Sequence, residues 1–229
     1  MEVKIVHNPK EATGLAIIID VFRAFTVAPY LIYNGAKKII PVGDKEIAYS
    51  LKEKNQDYIL IGERKGIKLP GFDFGNSPSQ IKNVDFSNKV IIHTTSCGTQ
   101  GIVNAINASE IITGSLVNAN AIVKYIKEKK FDKVSIVSMS KPNEKPFDED
   151  ELCAKYLKSL LENSKLENLE EEIEKLKFTT GKRFFDISNQ EHSPKEDFYL
   201  CIELNKFNFI LRVNKDINGM LYIEKIEIK

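Results

Sequence analysis

A series of short apolar runs along the first two-thirds of the chain limits its fold more than any other feature: residues 15–19, 38–42, 58–61, 90–92, 110–112 and 134–137. Each has the length of a strand. Between them, apolar residues recur at helical spacing over 24–33, 45–54, 101–105, 119–129 and 149–161. Near-continuous apolar strands alternating with helices predict an α/β fold: a largely parallel sheet with helices on both faces, three layers in all, joined by right-handed crossovers.

Beyond residue 162 the texture changes. The stretch LENLEEEIEKLK sets Leu166, Leu169, Ile173 and Leu176 on one apolar stripe of a charged helix. From Phe198 onward the pattern reads as strand, which places Cys201 on a strand, and Asn218-Gly219 marks a hairpin turn between NFILRV and MLYIEKIEI. The expected organisation is an α/β core over 1–162. A helix and antiparallel strands over 163–229 would pack on it without being independent.

Composition narrows the function classes. The chain has 229 residues, 42% hydrophobic and 28% charged, enough to bury a large core. Lys and Arg number 33 against 32 Asp and Glu, so a net charge of +1 gives no general footprint for nucleic acid or an anionic membrane. A small-molecule partner is expected, with a homodimer left open. MEVKIVHNPKEATG has no apolar signal core, and the apolar runs are too short to span a bilayer. Cys97, Cys153 and Cys201 are odd in number and widely separated, which fits a reducing cytoplasm better than a disulfide framework or a zinc site.

In open parallel sheets the ligand lies beyond the carboxyl ends of the strands, so the residues that follow each apolar run carry the information. They are Asp20 to Arg23, Gly62-Glu63-Arg64, Thr94-Thr95-Ser96-Cys97-Gly98-Thr99, and Phe147-Asp148-Glu149-Asp150. Carboxylates can hold a hard divalent cation, while arginines, hydroxyls and backbone amides suit an oxyanion. Each acid also has an ordinary structural alternative: Asp20 could cap the helix after it, and Asp148 to Asp150 could occupy a helical first turn. Cys97, beside Gly98 near a helix start, fits a reactive thiol or a small residue in a turn equally well.

Familiar phosphate chemistries fail one at a time. An Arg should lie six residues after a phosphatase cysteine, and Val103 follows Cys97 there; a second acid should lie two residues after an aspartyl nucleophile, and Phe22 stands there. None of His7, His93 and His192 completes Arg-His-Gly, and GERKGIK lacks the P-loop spacing. His93, alone at a strand end, reads as structural.

The segment GERKGIKLPGFDFGNSPSQI, residues 62–81, is shaped coil in which Phe72 and Phe74 flank Asp73. Two aromatics turned inward as anchors would send Asp73 to the cleft by the period-two geometry of extended chain. The alternative is an Asp that ties the turn by bonding nearby amides.

Together these blocks resemble the 2-phosphosulfolactate phosphatases of the coenzyme M biosynthetic route. DVFRAFTV with NGAKKIIPV is similar to the family's opening, GERKG and PGFDFGNSP to its central block, TTSCGT to its Thr-Thr-Asn-Gly-Thr segment, and FDEDELCAKYL to its Glu-Asp helix start. Order and spacing agree over residues 15 to 161, with little to match beyond. The resemblance implies a Mg²⁺-dependent phosphohydrolase of α/β fold acting on a small anionic phosphomonoester. Carried over position by position, it implies catalytic roles for Asp20, Glu63 and Asp73. Substrate contacts would come from Arg23, Arg64, Asn76, Ser77, Thr95, Gly98 and Thr99, and metal ligation from Asp20, Glu149 and Asp150; Cys97, where the family carries Asn, joins the substrate-binding candidates by its place in the same loop. Two further departures are Gln100, where the family carries Arg, and Phe25, where it carries a hydroxyl. Loss of an always-charged fork at 100 bears on substrate identity. A relative that binds its ligand without hydrolysis, or an enzyme working through Cys97, therefore remain open alternatives.

Overall fold

The computed structural model describes residues 1–139 and 148–228, so Phe147 lies outside the described residues. The strands are β1 (Glu2–Val6), β2 (Gly14–Ile19), β3 (Lys38–Pro41), β4 (Ile59–Arg64), β5 (Ile67–Lys68), β6 (Val90–Thr94), β7 (Ala108–Gly114), β8 (Lys133–Ser138), β9 (Phe209–Lys215) and β10 (Leu221–Glu227). The helices are α1 (Ala24–Tyr33), α2 (Lys45–Lys54), α3 (Pro78–Ile81), α4 (Gly98–Asn104), α5 (Ala119–Lys129), α6 (Glu149–Leu161), α7 (Leu169–Lys175) and α8 (Lys195–Ile202). They build an α/β fold on one mixed sheet in the order β1-β8-β2-β7-β9-β10-β3-β6-β4-β5.

Two parallel blocks make up this sheet. One pairs β1, β8, β2 and β7; the other pairs β3, β6 and β4. The antiparallel C-terminal strands are present, and their place is central: β9 pairs with β7 and β10 with β3, so the hairpin splices the blocks together. Gly219 holds φ +80 in the turn, a conformation that Asn218-Gly219 supplies at little steric cost.

Alternation along the strands buries both faces. Ile17 and Ile19 pack with Ile122 of α5 and Leu157 of α6, while Ala16 and Ile18 pack with Phe25 and Leu31 of α1 and Ile102 of α4. A third cluster joins Ile40, Leu60 and Ile92 to Ala48 of α2 and to Phe72. The stripe on α7 faces inward, with Ile173 and Leu176 buried.

Phe198 and Cys201 prove helical, both buried on α8. Their three-residue spacing marks one face of a helix, which a short apolar stretch does not separate from strand texture. Phe72 and Phe74 do anchor their loop, but in different clusters: Phe72 meets Tyr49 at 5.4 Å and Phe74 meets Phe86 at 5.7 Å.

The sheet is crossed by α4 on its way from β6 to β7. Four strands separate β2 from β6 in its order, yet a Cβ built on Gly101 of α4, the helix after β6, would lie 2.4 Å from Cγ2 of Ile18 on β2. That closeness brings the strand-end loops of the two blocks to one place.

Candidate active site

The loops after β2, β4 and β6 enclose a cavity of about 220 Å³ lined by Asp20, Phe22, Arg23, Glu63, Lys65, Gly66, Asn76, Ser96, Cys97 and Arg183. Three cations therefore face two carboxylates. The walls are fixed by bonds that decide which side chains stay available.

Asp20 stands where β2 gives way to α1. Its Oδ1 accepts from the Ala24 amide at 3.0 Å, so it does cap the helix entry. The Gly98 amide bonds to it as well, and only glycine allows that approach, since a Cβ there would sit 2.7 Å from Oδ2 of Asp20 and 2.8 Å from Cβ of Ala24. Burial pushes the Asp20 carboxyl up to about 6, against the pull of the Ala24 amide, and the charge of Glu63 adds to the rise.

Glu63 is a fastener. Its Oε1 accepts from the Ser96 amide at 2.6 Å, and its Oε2 from the Gly66 amide at 2.6 Å and the Ser96 hydroxyl at 3.1 Å. It ties the β4–β5 turn to the loop after β6. Because neighbouring strand residues point to opposite faces, Arg64 turns away and donates to the carbonyls of Glu63 and Gly43 and the Thr94 hydroxyl, at 2.7, 3.0 and 2.9 Å. Arg64, expected to contact substrate, is not among the residues that line the cavity.

Thr95 and Thr99 also stand back from the cavity. The amide of each donates to the hydroxyl of the other, at 2.9 and 3.2 Å, closing the loop that presents Ser96 and Cys97. Cys97 is exposed and not disulfide-bonded. Asn76 lines the wall, its Oδ1 3.2 Å from Nε2 of His93. Burial lowers the His93 pKa to about 4, so the ring is neutral and serves structure. Asp73 does not reach the cavity: its Oδ2 accepts from the Leu60 amide at 2.7 Å, and the turn-tying alternative holds.

Arg23 does reach it, held from behind. Its Nη1 donates to Oδ2 of Asp197 at 2.6 Å and to the His192 carbonyl at 2.8 Å. Oδ1 of Asp197 accepts from the Ser77 hydroxyl at 2.8 Å and the Ser79 amide at 2.9 Å, and Ser77, expected to contact substrate, is not among the cavity-lining residues. Asp197 is fully buried on α8, and sequence reasoning did not single it out. Arg183 and Lys65 were also missed as cavity residues, for they sit in TTGKRFF and GERKG with no spacing rule to mark them.

Against the Asp20 loop lies the start of α6. Asp148 caps that helix, its Oδ1 accepting from the Asp150 amide at 2.7 Å, and Asp150 accepts from the Val21 amide at 2.7 Å. One ligand atom from each of Asp148, Glu149 and Asp150 falls within a 4.8 Å group. Oε2 of Glu149 is buried without a hydrogen-bond partner among the described residues. Burial and the charge of Asp148 push Glu149 up to about 7; burial, Glu149 and Asp20 push Asp150 well above the carboxylate range. Oxygen donors that repel one another, one of them orphaned, suit a hard divalent cation. The group contains the expected Glu149 and Asp150 together with Asp148; Asp20, the other expected ligand, is not part of it.

With the geometry in view, the family model described as 2-phosphosulpholactate phosphatase matches residues 3–216. The chain belongs to that family. As a member it falls among the phosphoric monoester hydrolases. A Bacillus subtilis (strain 168) protein named "Probable 2-phosphosulfolactate phosphatase" is 32% identical over 212 residues, covering 92% of this chain and 91% of the relative. A Thermoplasma volcanium protein of the same name is 35% identical over 207 residues, covering 89% and 92%. One from Caldicellulosiruptor saccharolyticus is 34% identical over 199 residues, covering 85% and 80%. The family match runs past residue 161, so it takes in Arg183 and Asp197. Gln100 donates to the Gly43 carbonyl at 2.6 Å and does not line the cavity. No described helix is long and apolar enough to cross a membrane.

Proposed function

We propose that the protein hydrolyses 2-phosphosulfolactate to sulfolactate and phosphate with Mg²⁺ as cofactor. The observation that carries this reading is the position of Asp20, shared between a cavity walled by Arg23, Lys65 and Arg183 and an acid cluster whose Glu149 oxygen has no hydrogen-bond partner among the described residues. A divalent cation held by Asp20, Asp148, Glu149 and Asp150 would offset negative charge as the P–O bond breaks.

The remaining work falls to the chain. Arg23, braced by Asp197, presents a fixed guanidinium to phosphate oxygens, and Lys65 adds a second charge from its turn. Asp20 accepts a proton at Oδ2 from the attacking water and returns it to the departing alkoxide oxygen. Ser96 and Asn76 shape the wall, and Glu63 keeps the two loops closed around it.

Phosphate release from 2-phosphosulfolactate and from simple phosphomonoesters, measured with Mg²⁺ and with EDTA, tests the proposal. Release that depends on the metal supports it. Absence of release under every metal condition would overturn it, and sulfolactate binding by calorimetry in that case would favour a binding protein. Cys97 lies on the wall, so a thiol-dependent reaction is tested beside it: Cys97→Ser should retain activity, and its complete loss would point to thiol chemistry.

A further inference from the structure

The cavity's cations are not alike. Arg23 is sealed, at 2% exposure, and its Nη1 is committed to Asp197 and His192. Lys65 is exposed; its backbone amide donates to the Ser96 hydroxyl at 3.1 Å, which fixes the turn and leaves the ammonium on a flexible stem. Arg183 is exposed and comes from the other end of the chain, on the 3-10 segment Thr180–Phe185. Its guanidinium lies over the Phe184 ring, 5.0 Å from the centroid, and Nη2 donates to the Phe22 carbonyl at 2.9 Å. Stacking and one bond orient the planar fork at the cavity mouth while the charged group stays in reach of solvent.

We propose that Arg183 binds the acidic group of the substrate that is not transferred, the sulfonate or the carboxylate, and so sets the site's preference for multiply charged phosphate esters. The proposal rests on the phosphatase reading. Three observations carry it. Arg183 and Lys65 are both exposed on the wall, but only Arg183 is a planar fork held by a side-chain bond and an aromatic face, so an acidic group at the cavity mouth meets a preset partner there, while Arg23 sits deep in the Asp20 loop. Its 2.9 Å bond to the Phe22 carbonyl ties it to the residue next to Arg23, beside the phosphate-binding end of the wall. Gln100, where a charged fork could have served that purpose, is turned to Gly43.

The experiment compares Arg183→Gln and Arg183→Lys with the unmodified protein on 2-phosphosulfolactate and on p-nitrophenyl phosphate, whose phosphate is its one acidic group. Loss of a charge-assisted contact should raise KM for 2-phosphosulfolactate roughly 10- to 100-fold in Arg183→Gln. Arg183→Lys should recover part of that loss. kcat/KM for p-nitrophenyl phosphate should stay within about two-fold. Product inhibition supplies the second readout: sulfolactate should weaken by the same factor as KM, while inorganic phosphate should not. Equal losses on both substrates, or none on either, would overturn the proposal. If the unmodified protein turns over neither ester, the phosphatase reading fails, and calorimetry of sulfolactate with the unmodified protein and Arg183→Gln still decides the arginine's role: equal affinity refutes it.

Discussion

Two sets of buried carboxylates lie beside the same cavity and are built in opposite ways. Glu63, 6% exposed, has amide donors at 2.6 Å on each oxygen and a hydroxyl besides. Glu149, 9% exposed, keeps an oxygen without a hydrogen-bond partner among the described residues, lies with Asp148 and Asp150, and is pushed up to about 7. Burial is nearly equal, so burial alone does not identify a working acid. A buried acid supplied with donors fastens two loops together. One surrounded by its own kind is costly until a cation is present. Residue type and strand-end position are shared by both; the bonding is what separates them.

The same acid-to-amide change should therefore act in opposite directions at the two places. Glu149→Gln should lower kcat by about 10²- to 10⁴-fold, the range found when a charged catalytic group is removed. It should also leave the metal-free protein as stable or up to about 1 kcal/mol more stable, a Tm rise of roughly 2–4 °C, since it removes like charge. Mg²⁺ should raise the Tm of the unmodified protein and not of the variant. Thermal melts with and without EDTA, beside the phosphate assay, check both; retained activity would remove Glu149 from the metal set.

Asp197 widens the comparison, being a fully buried acid with every oxygen engaged. Asp197→Asn strands the Arg23 charge, which is 2% exposed, and should cost about 3–5 kcal/mol in urea unfolding. Glu63→Gln should cost less, about 1.5–3 kcal/mol, because one oxygen becomes a donor facing a donor near a partly exposed turn. If Glu63→Gln is neutral or stabilising, the contrast drawn between the two sets collapses.

How far the sequence went follows from the same physics. Strand-end positions brought out Asp20, Glu63, Glu149 and Asp150, because the carboxyl ends of parallel strands converge whatever the details. Period-two alternation, applied to Glu63 and Arg64, would have shown that one of them must face away. Asp197 and Arg183 were not legible: each acts through a partner more than a hundred residues away, Arg23 and Phe22, and no local spacing encodes such a contact. The splice of β9 and β10 between β7 and β3 is likewise a tertiary choice, since a hairpin signal fixes the pairing of its own strands and not their neighbours. Apolar periodicity carried the layers, and the hairpin's position waited for the structure.

The smallest expected effect belongs to Asp73, in the loop most like the family's central block. Its Oδ2 accepts from the Leu60 amide at 2.7 Å, and Lys52 stands 3.8 Å away, with 36% of the aspartate side chain exposed. Exposure and a single backbone bond limit what the carboxylate can contribute. Asp73→Asn should cost about 0.5–1 kcal/mol, with kcat unchanged, because the amide oxygen can still accept from Leu60 and solvent screens the lysine. A fall in kcat beyond ten-fold, with the melting curve unmoved, would put Asp73 back among the catalytic groups and would mean that the loop moves toward the cavity when substrate binds.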